Sequence, residues 1–438
     1  MSVWRAPTRQ EWGLVFLVLM LFVLTGLMQT WALALTIFNM AIVSAVMALG
    51  VNIQWGYAGL FNVGIMGFVA LGGLAAVLVG MPPVDPAWRA GGARLVAGLA
   101  LFGLTIALAV WLARRLKGRR GRAWVVSACA IAGVLVARAV ILPAISAVEA
   151  VDPASTGYLG GLGGPIILSW PVGGALAALA AWLIGKLALG LRSDYLAIAT
   201  LGISEIVIAV LKNEDWLARG VKNVIGLPRP VPYEVDLQKT DAFIGLAHAL
   251  GASPVDASIM TVKVLYALLF LAILIGLMAL SERALRSPWG RMMRAIRDNE
   301  TAAAAMGKNV TGRHLQVFVL GSAVCGIAGA MMTTLDGQLT PGTYQPLRFT
   351  FLIWVMVIVG GSGNNLGAVL GGFLIWFCWV QVEPIGLWLM GLMTAGLPEG
   401  SALRAHLLEG AAHMRLLTMG LIMLLVLRFR PRGLIPER

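Results

Sequence analysis

Apolar residues in this chain come in long, nearly uncharged runs, separated by short clusters of charge, glycine or proline. A helical membrane span needs about 20 such residues. By that measure the pattern predicts spans at Gly13–Ala34, Ile37–Ile53, Leu60–Gly80, Leu95–Ala113, Ala123–Leu142, Ile166–Gly190, Tyr195–Leu211, Val262–Ser281, Leu315–Leu335, Phe349–Gly361, Leu366–Val382 and Met414–Leu427. That makes twelve, or as few as ten if the short and glycine-broken runs are not separate spans. Breaks of that kind survive in a bilayer only where protein or a water-filled cavity meets the freed backbone groups. The expected fold class is all-α: a polytopic membrane protein of 10–12 transmembrane helices with Gly-broken spans.

Composition agrees. Of 438 residues, 59% are hydrophobic and 12% charged, against about 25% charged in soluble chains. A mean hydropathy of +0.86 would force apolar atoms onto the surface of any compact soluble domain. The net charge of +13 would suggest nucleic acid in a soluble chain, but here the basic residues crowd a few loops. Arg114–Arg122, Glu282–His314 and the tail from Arg428 carry most of them. Alternating twelve spans puts these loops and the N-terminus on one side, which the positive-inside rule assigns to the cytoplasm. Arg5 and Arg9 precede the first apolar run, which is too long for a signal-peptide core and lacks a cleavage site, so it reads as an uncleaved span. Cys129, Cys325 and Cys378 lie inside apolar runs without metal-ligand spacing. His406, Glu409 and His413 share a helical face and read as its wet side, not as a metal site.

The organisation expected is N-terminal spans at 1–83, an inserted hairpin with a basic turn at 84–165, and a core at 166–438. Pro143–Pro165 and Lys212–Met260 face outward, the latter large enough for a small flap.

The loop at 282–314 holds two short helices. In the first, Arg291, Arg294 and Arg297 recur every three residues while Met292 and Ile296 occupy another face, predicting a basic amphipathic helix on the inner membrane surface. In the second, Asn299 or Asp298 can cap the N-terminus, and Glu300 suits the positive end of the dipole. Ala302 to Ala305 leave a smooth surface, and Gly307 can close the helix in the left-handed conformation. This capped rod of roughly 10 Å is suited either to seating in a partner's groove or to bridging two spans as a solvated surface helix.

Polar groups at membrane depth need a reason, because a charge there costs about 2.5–3.5 kcal/mol. Glu205 sits near the middle of its span; Lys186 and Arg138 are candidate counter-charges. Asn62 follows one glycine-rich break, and Asn364 and Asn365 lie in another. These breaks either line a transport pathway or let helices cross closely.

The pattern Ala295-Ile296-x-x-Asn299-x-x-Ala302-Ala303-x-x-x-Gly307 resembles the cytoplasmic coupling loop of permease subunits in ABC importers. Further stretches are similar to the branched-chain amino-acid (Liv-type) permease family, M-type subunit. They are Gly56 to Gly64, Ser193 to Ile206, Pro341 to Tyr344, Val359 to Gly363 with Gly367, and Arg428 to Leu434. The resemblance covers Ile37 to Gly80 and Ile166 to Leu434. It implies the ABC importer permease fold and ATPase coupling through Arg297, Asp298, Asn299, Glu300, Ala302, Ala303 and Gly307. It also implies a second homologous permease subunit, two cytoplasmic ABC ATPase subunits, an external solute-binding protein, and the inner membrane of a bacterial cell with both termini cytoplasmic. Branched-chain or related amino acids are the implied cargo, with urea, short amides or sugars as alternatives. The chain departs from the family in the outer loop, where Arg219 to Gly226 replaces a Gly-Gly-x-Asn-Gly-Ile stretch, and in the insertion from Val84 to Pro165.

No Gly-x-x-x-x-Gly-Lys-Ser/Thr loop is present, so an ATP-driven mechanism needs its ATPase on another polypeptide. No cofactor and no enzyme chemistry is expected. A secondary transporter or channel acting alone is the competing class, and a membrane-embedded enzyme has no recognisable site.

Overall fold

The computed structural model describes residues 8–191, 193–249, 251–396, 398 and 401–437. It opens with α1 (Arg9–Met28), α2 (Trp31–Val51) and α3 (Ile65–Gly80). A short α4 (Asp85–Ala87) leads into the hairpin α5 (Ala93–Arg115) and α6 (Arg122–Glu149), followed by α7 (Ser169–Ala188) and α8 (Ser193–Asn213). The next loop carries α9 (Asp215–Ala218), β1 (Val224–Ile225), α10 (Glu234–Gln238) and α11 (Asp241–Ala249). Then come α12 (Pro254–Arg286), α13 (Pro288–Asp298), α14 (Glu300–Ala305) and α15 (Val310–Asp336). The chain finishes with β2 (Gln338–Leu339), α16 (Pro346–Gly360), α17 (Asn365–Met393), α18 (Ala402–Gly410) and α19 (Met414–Phe429).

Among the described residues, nine helices are long and apolar enough to cross a membrane. The α18–α19 pair, bent by 53°, makes a tenth. Two further apolar helices, α3 and α16, have 16 and 15 residues. At 1.5 Å per residue they are about 24 and 22 Å long, short of a ~30 Å hydrocarbon core. Each predicted apolar run contains a helix, but these two are short, and the Leu60–Gly80 run is helical only from Ile65.

Successive spans alternate in direction. At one end, here the coupling end, the α2–α3 break meets the α13 loop at Gly56 and Arg297. The α16–α17 break meets the tail there, through Ile435 N–H on the Gly360 carbonyl at 3.0 Å. At the far end, β1 pairs antiparallel with β2, Val224 opposite Leu339. The α3–α4 turn bridges Gly160 through Pro83.

The core forms around α15, which packs against α7, α3 and α2. In its most apolar window 67% of the residues are buried, against 6% for α6. Small residues make this possible. A Cβ at Gly72 would meet the Gly326 carbonyl oxygen at 1.9 Å, and one at Gly329 would meet that of Val69 at the same distance. Backbones in contact replace the missing hydrophobic drive between helices in lipid with van der Waals packing. The α5–α6 pair packs mainly on itself and is anchored at the far end. There Trp88 Nε1–H donates to the Leu159 carbonyl at 2.9 Å, and the Trp216 N–H donates to Glu149 Oε1 at 3.3 Å.

Candidate functional site

The coupling-end loop is built as its local chemistry dictates. Ser287 Oγ accepts the Trp289 N–H at 3.2 Å to start α13. Asn299 ends α13 and caps α14, its Oδ1 accepting the Ala302 N–H at 2.9 Å. Gly307 follows α14 with φ +75°, the left-handed close a glycine adopts without strain. Of the two possible caps, Asn299 serves.

Which faces point outward differs from the helical-wheel expectation. On α13, Gly290, Met293 and Ile296 are buried, so Met293 sits deepest against the bundle while Met292, half-buried, packs at its edge. On α14, Thr301, Ala302, Ala304 and Ala305 are exposed, whereas Ala303 is buried in the hydrophobic core. A six-residue helix needs one face on its own protein to stay folded; Ala303 supplies that face.

Arg297 lies at the centre. Its guanidinium pairs with Glu437 at 2.8 Å and with Asp298 at 3.3 Å. It also donates through Nη1 to the Gly56 carbonyl. Burial opposes the charge, but Glu437 and Asp298 outweigh it and raise the Arg297 pKa above the ordinary arginine value.

From this junction, contacts lead to both helix breaks. The first begins at Asn52–Gly56, where α2 widens into one π-turn. Asn52 Oδ1 accepts the Gly363 N–H at 2.9 Å, and its Nδ2 donates to Asn365 Oδ1 at 3.1 Å. Asn365 Nδ2 donates to Glu282 Oε1 at 2.9 Å, and Glu282 pairs with Arg286 at 3.4 Å. Asn364 caps α17 through the Gly367 N–H at 3.1 Å, and its Nδ2 donates to the Pro436 carbonyl at 3.3 Å. The tail adds Leu434 N–H to the Val359 carbonyl at 2.9 Å. Tyr57 lies in the same region, where burial first, then Glu282 and Glu437, push its phenol above the ordinary tyrosine value.

Asn62 is buried and fully engaged. Its Nδ2 donates to Gln54 Oε1 at 2.8 Å, its Oδ1 accepts the Gly64 N–H at 2.9 Å, and its carbonyl accepts Trp354 Nε1–H at 3.2 Å. Trp55 and Phe61 flank the Trp354 ring at 4.7 and 4.6 Å between centroids. Of the three asparagines singled out from the sequence, Asn365 joins the two breaks through Asn52, Asn62 ties the first break to Trp354 of α16, and Asn364 caps α17 and holds the tail.

Glu205 is different. It is exposed, on a stripe of α8 with Tyr195, Ile198, Gly202 and Ala209. Among the described residues no hydrogen bond or ion pair reaches it. Lys186, one expected counter-charge, instead stacks on the Trp182 ring at 3.6 Å, because neighbouring turns of α7 present that ring to it.

Sequence reading missed Asn52, Gln54, Glu282 and Glu437. Glu437 alone carried a hint, as an acid within a basic tail; the others lacked any local signature.

The chain was compared with known proteins. A family model described as the permease component of branched-chain amino acid transport systems matches residues 33–427. The chain is 26% identical over 275 residues to LivM of Escherichia coli (strain K12), the high-affinity branched-chain amino acid transport system permease protein. That stretch covers 61% of this chain and 56% of the relative. It is 28% identical over 250 residues to the probable LivM permease of Methanocaldococcus jannaschii, covering 57% of this chain and 61% of the relative. A shorter likeness, 29% over 110 residues and 24% of this chain, is to the fructose import permease protein FrcC of Rhizobium meliloti, of which it covers 29%. The matched region thus spans little more than half the length of the LivM relatives. No solved structure matches. With apolar helices long enough to cross a membrane and a family match running through nearly all of them, the chain belongs to the branched-chain amino acid transport permease family.

Proposed function

We propose that this chain is the membrane-spanning subunit of an ATP-driven importer for branched-chain or related amino acids. It works beside a second, homologous permease subunit, two cytoplasmic ABC ATPases and an external solute-binding protein. The coupling end faces the cytoplasm, and both termini lie on that side of the inner membrane.

The observation that carries this reading is the Arg297 junction. One side of the loop presents the exposed face of α14; the other is tied through Arg297 to Gly56 and Glu437, hence to both helix breaks. A motor that displaces α14 therefore pulls on α2, α3, α16 and α17 together. Ion pairs and side-chain hydrogen bonds of this kind have discrete arrangements, which suits a two-state gate.

The exposed stripe of α8 supplies the second element. A carboxylate facing lipid at mid-span costs about 2.5–3.5 kcal/mol, so the Glu205 face belongs against the second permease or along a wet pathway between the two. Asn62, Asn364 and Asn365 serve that pathway indirectly, by fixing the breaks at its cytoplasmic mouth.

The test is uptake into proteoliposomes that hold this chain with its permease, ATPase and binding-protein partners. Leucine uptake should require ATP and stop when the ATPases are omitted. Uptake driven by an ion gradient without an ATPase would sink the reading. The likeness to a fructose permease supports a sugar as the competing cargo, and competition by D-fructose against labelled leucine distinguishes the two.

A further inference from the structure

Between α2, α12, α15 and α17, toward the far end, lies a cavity of about 420 Å³. That is within the range of small-molecule sites, roughly 300–1,000 Å³. Its charged lining consists of Arg229, Glu234, Lys263 and Asp336. Arg229 and Glu234 satisfy one another, Nη1 donating to both carboxylate oxygens at 3.1 and 2.8 Å. Lys263 and Asp336 do not pair. The Lys263 ammonium donates to the Ala32 carbonyl at 2.8 Å and to Thr36 Oγ1 at 2.7 Å, which leaves its third N–H free. Asp336 is exposed to the cavity, and among the described residues nothing donates to its carboxylate.

Two neutral groups on the same wall are also unmatched. Asn39 is buried; its Nδ2 donates to the Lys263 carbonyl at 3.0 Å, and its Oδ1 has no partner. Trp376 Nε1 has no acceptor. The wall thus offers an unpaired anion and a spare ammonium N–H, while the Asn39 oxygen and the Trp376 N–H lie buried behind it. Such groups are costly to leave unmet.

A second cavity of about 100 Å³ shares Met40, Asp336 and Trp376 with the first and runs inward among Met47, Met66, Met332 and Met356. Methionine walls adapt to differing aliphatic shapes.

We infer that the two cavities together form a binding site for one α-amino acid inside this single subunit, resting on the amino-acid reading of the cargo. The ligand ammonium meets Asp336, its carboxylate meets Lys263, and its branched aliphatic side chain enters the methionine cavity. A sugar would leave both charges unpaired. A zwitterionic lipid headgroup shares the charge pattern, but an acyl chain is far too long for the methionine cavity.

The test is direct binding to the full-length chain in nanodiscs of phosphatidylglycerol, followed by calorimetry. L-Leucine should saturate at one per chain. 4-Methylpentanoate, which lacks the ammonium, and 3-methylbutylamine, which lacks the carboxylate, should each bind at least tenfold more weakly. Asp336→Asn and Lys263→Gln should each weaken leucine at least tenfold. The ligand series on the unaltered chain needs no variant, so misfolding cannot decide the outcome. The inference is overturned if leucine does not saturate, if both truncated ligands bind as leucine does, if D-fructose binds instead, or if adding phosphatidylethanolamine abolishes leucine binding. Leucine uptake by the assembled transporter without leucine binding to this chain would remove the site and leave the import reading. Binding here with no leucine uptake by the assembly would do the reverse.

Discussion

Arg297 of α13 and Glu437 of the tail form an ion pair of 2.8 Å, and the same guanidinium holds the Gly56 carbonyl at the end of the π-turn. One side chain thereby joins the α13–α14 loop, the α2–α3 break and the tail strapped to the α16–α17 break.

The first prediction follows from that pair. Arg297→Ala removes a charged hydrogen-bond donor with three partners, and charge-assisted bonds are worth about 1.5–3 kcal/mol each where buried. Both partners of the main pair are about a quarter exposed, 24% and 28%, so solvent screens it toward the lower figure. Glu437→Gln should cost less than Arg297→Ala, because the Gly56 contact survives. Combining the two should cost less than their sum in a thermal-unfolding double-mutant cycle. ATP-dependent uptake should fall further than stability in either variant; full uptake in both would remove the junction from the mechanism.

Asn52 bridges the two breaks from a fully buried position, with 0% exposure. Asn52→Ala strands the Gly363 N–H and the Asn365 side-chain Oδ1 inside the protein. Each such loss costs about 1–3 kcal/mol. A clear drop in melting temperature is expected, and a variant as stable as the unaltered chain would contradict the network.

The alanine run of α14 separates two outcomes. Ala302→Trp adds bulk to the exposed face, so the chain should fold and melt normally while uptake in the assembled importer falls at least tenfold. Ala303→Trp forces an indole into the core, with an overpacking cost of about 1–3 kcal/mol, and should lower the melting temperature directly. Equal melting temperatures for the two variants would reverse the assignment of faces.

Glu205→Leu tests the α8 stripe. If that face met lipid, replacing the carboxylate would stabilise the chain by about 2.5–3.5 kcal/mol. With the face against a partner permease or a wet pathway, little gain in melting temperature is expected in the assembled transporter. Transport or permease pairing should then fall at least tenfold. A strongly stabilised and fully active variant would place Glu205 against lipid.

The amino-acid sequence alone determined what depends on neighbours along the chain. Uncharged apolar runs mark the membrane helices, though α3 and α16 are shorter than a bilayer, since a backbone in lipid satisfies its polar groups within its own segment. Asn299 and Gly307 bound α14 because capping is a three-residue affair. The wheel could not say whether Ala302 or Ala303 faces inward, because four consecutive alanines present the same surface on every side. It also placed the asparagines of the breaks without their partners. Asn52 meets Asn365, and Arg297 meets Glu437, only because separate helices close on one another, and such pairing leaves no periodic trace. The same holds for Lys263 and Asp336, which two helices bring to one cavity. Local propensity and hydropathy therefore wrote the spans and caps, while packing between distant helices decided which polar groups are spent on the fold and which remain available.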